Sequence, residues 1–438
     1  MFKKYIALLG CLLMISFSFG QSDFEFSTKK HKAKIPFNLV SNLMVIPVSV
    51  NGVELSFLLD SGVKETILFN VTEVDSLALN QAEFFTVKGA NDIEVKALKS
   101  RNNTVEIGGV RSENHIIYVA FNQGNNLSSY LGEEINGIIG YHFFKDFVVE
   151  LLYEQELMKV YKKDYYKKRW NRFTEVDLAF SKGKPFVGVK LGDSIVENFL
   201  IDTGMSDGMW MFKEDVMAIN HYGYYEDYLG MTVSGEILGK RSKINELEFV
   251  GRVFKDVKIS YPYQDVLPDE LKDFSTRAGS IGGDLLKRFT VVFDYNKSKM
   301  YVKPNKHIDN PFYYNKSGLV LRQDGDAVAK NNNNELIKSL KENNFISYVD
   351  LSYVLTPEFV IDHVRENSPA AIVGLRKDDV LLEVNGKKTY QYKLKSITAL
   401  FHDEDDKEIT MKIKRGDLIM EKKFKLKSPL KKNTLVQN

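Results

Sequence analysis

An internal duplication constrains this chain of 438 residues more than any other feature of its sequence. The segment FLLDSG at 57–62 recurs as FLIDTG at 199–204, an offset of 142 residues. Two further landmarks keep the same offset, namely Gly109 with Gly251 and the Ile-Gly pair at 139–140 with that at 281–282. Landmarks in constant register indicate two copies of one structural unit, over roughly 35–162 and 173–304.

Each copy has the sequence pattern of a β structure. Alternating apolar and polar residues predict strands, and Asn-Gly, Gly-Gly and Gly-Asp pairs predict the turns between them. The predicted strands are Val45–Val50, Thr104–Ile107, Phe186–Leu191 and Val257–Tyr261. Because long helical patterns are scarce, short strands at close spacing favour a sandwich or barrel-like lobe over a parallel α/β sheet. The expected fold class is therefore mostly β, with two duplicated lobes.

The repeated motif, two apolar residues before Asp-Ser/Thr-Gly, resembles the active-site loop of pepsin-like and retropepsin-like aspartic proteases. The resemblance implies acid-protease lobes with Asp60 and Asp202 as the catalytic carboxylates. It also implies a set of active-site supporting residues in the loops and in two apolar-apolar-Gly segments: Ser61, Gly62, Thr203, Gly204, Ile139, Gly140, Ile281 and Gly282. Ser280 departs from the family pattern, which usually has an apolar residue there.

Two carboxyl groups in contact cannot both ionise at low cost, because like charges repel. One keeps a proton, while the ionised one can take a proton from a water molecule that attacks a peptide carbonyl. This chemistry needs no metal and no organic cofactor, so we expect neither. The alternative is a catalytically inactive protease fold that serves as a peptide-binding scaffold. Both aspartates, both hydroxyls and both glycines remain, which favours an aspartic-type endopeptidase.

The family closes a flap hairpin over its substrate, and each lobe has a candidate for it. In the first lobe the candidates are Gly89 and Ala90, within the stretch KGAND. In the second lobe they are Met231 and Thr232, within the stretch GMTVSG. We expect these residues to contact a bound peptide.

A different pattern follows a linker-like passage at 304–311. The segments SPAAIVGL at 368–375 and DVLLEVNG at 379–386 resemble bacterial PDZ domains of the HtrA type. The resemblance implies a C-terminal PDZ-like α+β domain that binds peptide C-termini by adding a strand to a sheet edge. It places the peptide-binding loop at Gly318, Leu319 and Val320. The alternative is a domain used only for packing or dimer contact.

The first 20 residues have the pattern of a signal peptide. Two lysines precede an apolar stretch at 5–19 that is short for a membrane span. We therefore expect export to the periplasm, the cell envelope or the medium, with Gln21 beginning the mature chain. The alternative is a lipoprotein signal cut before Cys11. Since Cys11 is the single cysteine, the mature chain has no disulfide and no thiolate.

The expected organisation is a signal peptide at 1–20, lobes at 21–165 and 166–305, and a PDZ-like domain at 312–428. Lys plus Arg number 60 against 58 Asp plus Glu, a net charge of +2 that gives no reason to expect nucleic acid. No other long apolar run predicts a membrane span in the mature chain. The expected partners are a peptide or protein substrate and a C-terminal peptide ligand at the PDZ-like domain.

Overall fold

The structure is a computed structural model that describes residues 23–69, 77–88, 94–121, 127–166, 172–191, 195–212, 223–232, 235–264, 277–330 and 353–430. The predicted signal peptide, Cys11, Gly89 and Ala90 lie outside these ranges. Within them the chain is mostly β, as the sequence predicts. No helix in the described ranges is long and apolar enough to cross a membrane.

The first copy of the duplicated unit has the following elements: β1 (Glu25–Phe26), β2 (Lys32–Pro36), β3 (Asn38–Val40), β4 (Leu43–Val50), β5 (Val53–Leu59), β6 (Thr66–Leu68), β7 (Glu83–Lys88), β8 (Glu94–Ile107), β9 (Val110–Ala120), α1 (Leu127–Leu131), β10 (Gly137–Ile139), α2 (Tyr141–Phe144), β11 (Phe147–Leu152) and β12 (Leu157–Lys162). The second copy has β13 (Thr174–Asp177), β14 (Ala179–Ser181), β15 (Lys184–Leu191), β16 (Ile195–Ile201), β17 (Met209–Met211), β18 (Tyr225–Thr232), β19 (Gly235–Phe249), β20 (Arg252–Pro262), β21 (Gly279–Ile281), α3 (Gly283–Leu286), β22 (Phe289–Asp294) and β23 (Lys299–Pro304).

The C-terminal part has β24 (Leu319–Lys330), β25 (Tyr353–Val364), α4 (Pro369–Ile372), β26 (Val380–Val384), β27 (Lys387–Lys388), α5 (Leu394–Leu400), β28 (Glu408–Arg415) and β29 (Leu418–Lys425). Short 3-10 turns lie at Tyr153–Gln155, Lys163–Tyr165, Tyr295–Lys297 and Thr389–Gln391. The four strands predicted from alternation are confirmed, since each lies inside an observed strand: β4, β8, β15 and β20.

Each copy closes a barrel-like sheet from its described strands. In the first copy the hydrogen-bonded order is β9-β6-β10-β5-β4-β8, and β8 pairs back to β9. In the second copy it is β20-β17-β21-β16-β15-β19, and β19 pairs back to β20. The corresponding strands follow one another at the same offset, so the repeated sequence forms the same barrel twice.

A further sheet joins the two lobes, in the order β13-β23-β22-β11-β12-β2. At its centre β11 and β22 pair antiparallel, with Val149 opposite Phe293 and Leu151 opposite Val291. These four side chains are fully buried and belong to one apolar core that continues through both lobes. The sequence analysis treated each lobe as a separate unit, whereas the structure gives the pair a shared core.

The C-terminal domain has its own core and its own sheet, in the order β24-β25-β26-β28-β29. Its helix α4 begins where the Ser-Pro pair predicts, because the Ser368 hydroxyl oxygen accepts the Ala371 N–H at 3.2 Å. The predicted turn between β26 and β27 also forms. Asn385 and Gly386 both adopt positive φ there, at 49° and 76°.

This domain lies against both lobes. The Tyr130 hydroxyl of α1, in the first lobe, donates to the Asp362 carboxylate of β25 at 2.9 Å. The Arg365 guanidinium, just after β25, lies 3.4 Å from the Asp227 carboxylate of β18, in the second lobe. The C-terminal domain therefore bridges the two lobes.

The passage between the second lobe and this domain is anchored by a buried cation. Arg288 is 1% exposed, and its guanidinium donates to the backbone carbonyls of Asn310 and Pro311. The same group lies 3.8 Å from the ring centre of Phe312. Residues 310–312 are therefore part of the packing of the second lobe, although the sequence analysis predicts a linker up to 311 and the C-terminal domain from 312.

Two truncated chains can measure how much the contacts of Arg288 with residues 310–312 stabilise the lobes, apart from the rest of the C-terminal domain. A chain ending after Asn310 loses the Pro311 carbonyl and the Phe312 ring, so it leaves Arg288 with fewer partners than a chain ending after Tyr314. We expect a lower Tm for the shorter chain, by about 3–6 °C, in thermal unfolding. Introducing Arg288→Met into both truncations should shrink the difference. Equal Tm values without that substitution would contradict this account.

Candidate active site

The two loops that carry Asp60 and Asp202 begin where β5 and β16 end. Each of these strands runs parallel to a short strand, β10 or β21, with Leu59 beside Ile139 and Ile201 beside Ile281. The pairing continues into the loops, because the N–H groups of Asp60 and Asp202 each donate to the carbonyl of that isoleucine at 2.9 Å. Buried strands therefore fix where each aspartate leaves the barrel.

Close approach of the backbone explains the glycines in the two apolar-apolar-Gly segments. A Cβ on Gly140 would lie 2.1 Å from the Asp60 carbonyl oxygen. A Cβ on Gly282 would lie 2.4 Å from the Asp207 carbonyl oxygen. Both distances are impossible for a carbon atom, so each catalytic loop can pass only beside a glycine.

Ser61 and Thr203 bind the two loops to each other with reciprocal hydrogen bonds. The Ser61 N–H donates to the Thr203 hydroxyl at 2.9 Å, and the Thr203 N–H donates to the Ser61 hydroxyl at 3.1 Å. Each hydroxyl in turn donates to a carbonyl of the other lobe, Ser61 to Ile201 at 2.7 Å and Thr203 to Leu59 at 2.8 Å. All four bonds are buried and cross between the lobes.

The glycines of the motif bring the carboxyl groups together. The N–H groups of Gly62 and Gly204 donate to the aspartate two residues before them, at 2.7 Å and 3.0 Å. A Cβ on Gly204 would lie 2.2 Å from the Asp60 carboxyl carbon, and one on Gly62 would lie 2.9 Å from that of Asp202. Each aspartate thus packs on the glycine of the other lobe, and the two carboxyl groups hydrogen-bond to each other.

Burial and mutual repulsion change the pKa values of the two carboxyls. Burial, followed by the charge of Asp202, raises the pKa of Asp60 to about 8. Burial also raises the pKa of Asp202, but the nearby Arg277 guanidinium and the hydrogen bond from Asp60 oppose the rise. The Lys184 ammonium acts to lower the pKa of both carboxyls. These influences favour the proton on Asp60 and the charge on Asp202, and the two carboxyls titrate as a pair.

The pair lies in a cavity of about 660 Å³ between the lobes. Gly62, Gly204 and Met231 line it, so the second-lobe hairpin β18–β19 reaches the cavity that holds the carboxyl pair. Thr232 lies at the end of β18, and its side chain is outside the described residues. Gly89 and Ala90 fall between β7 and β8, also outside them.

The two lobes contribute walls of different polarity to the cavity, even at positions that correspond in the duplication. Ile138 lines it on one side, and Ser280, its counterpart at the same offset, lines it on the other. The departure of Ser280 from the family pattern therefore places a hydroxyl in the wall. Another cavity, of about 800 Å³, lies between β18 and the C-terminal domain, but neither aspartate lines it. We assign the site to the smaller cavity because it contains the paired carboxyls.

The C-terminal domain also lines this cavity, which the sequence motifs do not predict. Leu319, Val320 and Leu321 of β24 contribute from one side, and Thr398 and His402 from α5 and its end. The predicted peptide-binding residues Leu319 and Val320 therefore belong to the same cavity as the aspartates. Gly318 lines the larger cavity instead, together with Val320.

A buried ionic network beside the second catalytic loop was also missed. The Arg241 guanidinium contacts the carboxylates of Asp207 at 2.7 Å and Asp227 at 2.9 Å. Burial acts to raise the pKa of Asp207, but the charges of Arg241 and Lys258 outweigh it and hold that pKa well below its usual range. One signal was present, because Glu65 occupies the position of Asp207 in the first copy. Within the described ranges, no cluster of three His, Cys, Asp or Glu side chains could hold a metal ion.

Comparison with known families agrees with this geometry. A family model described as aspartyl protease matches residues 46–143, and one described as PDZ domain matches residues 360–415. The chain therefore contains an aspartyl protease domain and a C-terminal PDZ domain, which confirms both resemblances seen in the sequence. A search of curated proteins found no match for the chain.

The cross-lobe hydrogen bonds predict a specific loss of stability. Thr203→Val keeps the shape of the side chain but leaves the Leu59 carbonyl and the Ser61 N–H buried without a partner. We expect the free energy of unfolding to fall by about 2–4 kcal/mol, measured by chemical denaturation. Thr203→Ser keeps the hydroxyl and should lose less than half as much. Equal losses in the two variants would mean that the methyl group contributes as much as the hydroxyl, which would contradict this account.

The raised pKa of Asp60 predicts a pH-dependent stability. Between pH 3.8 and about 8, the Asp60 carboxyl is protonated in the folded protein and ionised in the unfolded chain. The free energy of unfolding therefore falls as pH rises through this window. Asp60→Asn has no such proton to lose. The Tm of Asp60→Asn should therefore exceed that of the unsubstituted protein increasingly from pH 4 to pH 8. A constant difference in Tm across this range would contradict the raised pKa.

Proposed function

We propose that this protein is an aspartic endopeptidase that hydrolyses peptide bonds of extended segments bound between its two lobes. The observation that supports the proposal is the carboxyl pair of Asp60 and Asp202. The two groups are hydrogen-bonded to each other, are placed to share one proton and are locked across the lobes by Ser61 and Thr203. This arrangement is what a pair needs to act as general acid and general base in one step.

Each aspartate has a distinct role in the proposed reaction. The charged Asp202 takes a proton from a water molecule, whose oxygen attacks the carbon of the scissile carbonyl. The protonated Asp60 donates a hydrogen bond to the carbonyl oxygen and stabilises the oxyanion that develops. Asp202 then passes the proton that it took from water to the amide nitrogen, the C–N bond breaks, and an amine and a carboxylic acid are released. The fixed carboxyl geometry supports catalysis because the groups need no rearrangement as charge develops.

The walls of the cavity support a peptide as the substrate. Leu58, Ile67 and Ile138 line it from the first lobe, and Met205 and Trp210 from the second. Such apolar walls suit peptide side chains, and burial of each large side chain contributes roughly 1.5–3 kcal/mol before the costs of binding. The hydroxyl of Ser280 offers a polar position within the same wall.

The proposal includes export of the enzyme across a membrane. It is supported by the two lysines and the apolar stretch within residues 1–20. In an exported chain the stability would depend on the core that both lobes share, because residues 21–438 contain no cysteine that could form a disulfide.

The catalytic proposal is tested by cleavage of a diverse peptide mixture by the chain from Gln21 onward, across pH 3–8. Asp60→Asn and Asp202→Asn should each lower kcat/KM by at least about a thousandfold, because either change removes the shared proton. The double variant should lose little more than either single variant, since the two groups act as a unit. Mass spectrometry of the products gives both the rates and the cleaved bonds.

Two controls separate this mechanism from its alternatives. A chelator should leave activity unchanged, since loss of activity would point to a metal. Circular dichroism and thermal unfolding should show that both single variants stay folded. If peptides bind the unsubstituted protein but are not cleaved at any pH, the proposed peptidase activity is wrong. The protein is then the catalytically inactive, peptide-binding scaffold.

A further inference from the structure

The cavity that holds the catalytic carboxyls continues out of the two lobes into the C-terminal domain. Beyond the lobe residues its walls are Leu319 and Leu321 of β24, and Thr398 of α5 with His402 just beyond that helix. The space between β24 and α5 is the groove in which a PDZ domain holds a peptide. In this chain the groove and the catalytic cleft are therefore one continuous space.

The strand on one side of this groove is the edge of its sheet, and α1 of the first lobe packs against it. Among the described strands, β24 pairs only with β25, so β24 is the edge of its sheet. An edge strand offers backbone groups that can pair with an extended chain. An extended chain is also the form in which a peptide must lie to place a scissile bond between two carboxyls. One extended peptide segment can therefore pair with β24 and reach the two carboxyls at the same time.

The end of the groove is closed by the side chains of its own loop. The Asn315 carbonyl oxygen Oδ1 accepts the N–H groups of Ser317 at 3.1 Å and Gly318 at 3.0 Å. The Ser317 hydroxyl accepts the Leu319 N–H at 3.0 Å, and Asn315 Nδ2 donates to the Leu319 carbonyl at 2.7 Å. These N–H groups belong to the loop that captures a terminal carboxylate in PDZ domains. Asn315 and Ser317 occupy them here.

Contacts on both sides hold the groove in place relative to the aspartates. Gly132, the residue after α1 of the first lobe, packs on Leu394, the first residue of α5. A Cβ on Gly132 would lie 2.7 Å from the Leu394 Cβ. The bond from Tyr130 to Asp362 holds the same face. On the second lobe, Arg365 contacts Asp227, which also binds Arg241 of the network beside the catalytic loop.

We propose that the groove between β24 and α5 is a substrate subsite of the protease cleft, which binds the side of an extended peptide at positions beyond those next to the scissile bond. It does not select a free C-terminus, because the loop groups that would bind the carboxylate are already occupied. This inference rests on the proposed peptidase activity. It assigns to β24 and α5 a role in choosing which sequences are cleaved.

The first arm of the test uses peptide length. A sequence cleaved by the enzyme is made in forms of about four, seven and ten residues, extended on one side or the other of the scissile bond, since each residue adds about 3.3 Å. On one side, the longer peptide should have kcat/KM at least about tenfold above that of the shortest peptide. Peptides ending in a free carboxylate and in an amide should differ by less than about twofold.

The second arm blocks the groove. Thr398→Arg and Val320→Lys each place a long charged side chain in the groove from opposite walls, and either should remove most of the length gain. Ser396→Arg is the matched control, because Ser396 is exposed on the same helix and does not line the cavity. It should keep the length gain. Thermal unfolding shows which variants remain folded, and two groove variants keep the test decisive if one fails.

Three outcomes would overturn the inference in an active enzyme. They are the absence of a length gain, a length gain that survives both groove variants, and a length gain that an amidated C-terminus abolishes. If the unsubstituted protein cleaves nothing, the proposed activity fails separately. Binding of a labelled long peptide to the Asp202→Asn variant then shows whether the groove binds a peptide. Binding that is lost with Thr398→Arg and kept with Ser396→Arg supports the subsite, and binding kept with both rejects it.

Discussion

The reciprocal hydrogen bonds between Ser61 and Thr203 are the interaction on which the rest of this structure depends. They set the separation of two loops that belong to different barrels, and they leave no freedom for one loop to move without the other. Each aspartate can meet its partner only because a glycine of the opposite lobe has no Cβ there. The site thus exists only when both lobes are folded and joined, which the shared core and the sheet through β11 and β22 ensure.

Holding two carboxyls in contact costs free energy, and the surroundings decide how the charge is distributed. Burial opposes ionisation of both, while Arg277 and Lys184 favour the charged form of Asp202. These influences favour a state with one neutral and one charged group, which is the useful state for an acid and a base acting together. The adjacent ionic network of Arg241 with Asp207 and Asp227 ties the second loop to β18 and β19.

The sequence predicted the parts of the fold that repeat. A constant offset placed β5 with β16 and β10 with β21, and with them both catalytic loops and their glycines. It could not predict how the units assemble, because an offset describes each copy alone and carries no information about the sheet that joins them. Lys184 and Arg277 escaped prediction for a related reason, since they lie outside the motif and approach Asp202 only through the fold. The contacts between Tyr130 and Asp362 likewise bridge units that the sequence separates.

Placing the PDZ domain in the wall of the cleft changes what that domain can contribute. A tethered docking domain increases the local concentration of a substrate without altering the chemistry. A wall also excludes water, and burial is the main cause of the raised pKa of Asp60. The residues of β24 and α5 that contact a bound peptide would therefore also limit the access of solvent to the carboxyls. In the proposed enzyme, recognition of the peptide and maintenance of the shared proton would depend on the same packed surface.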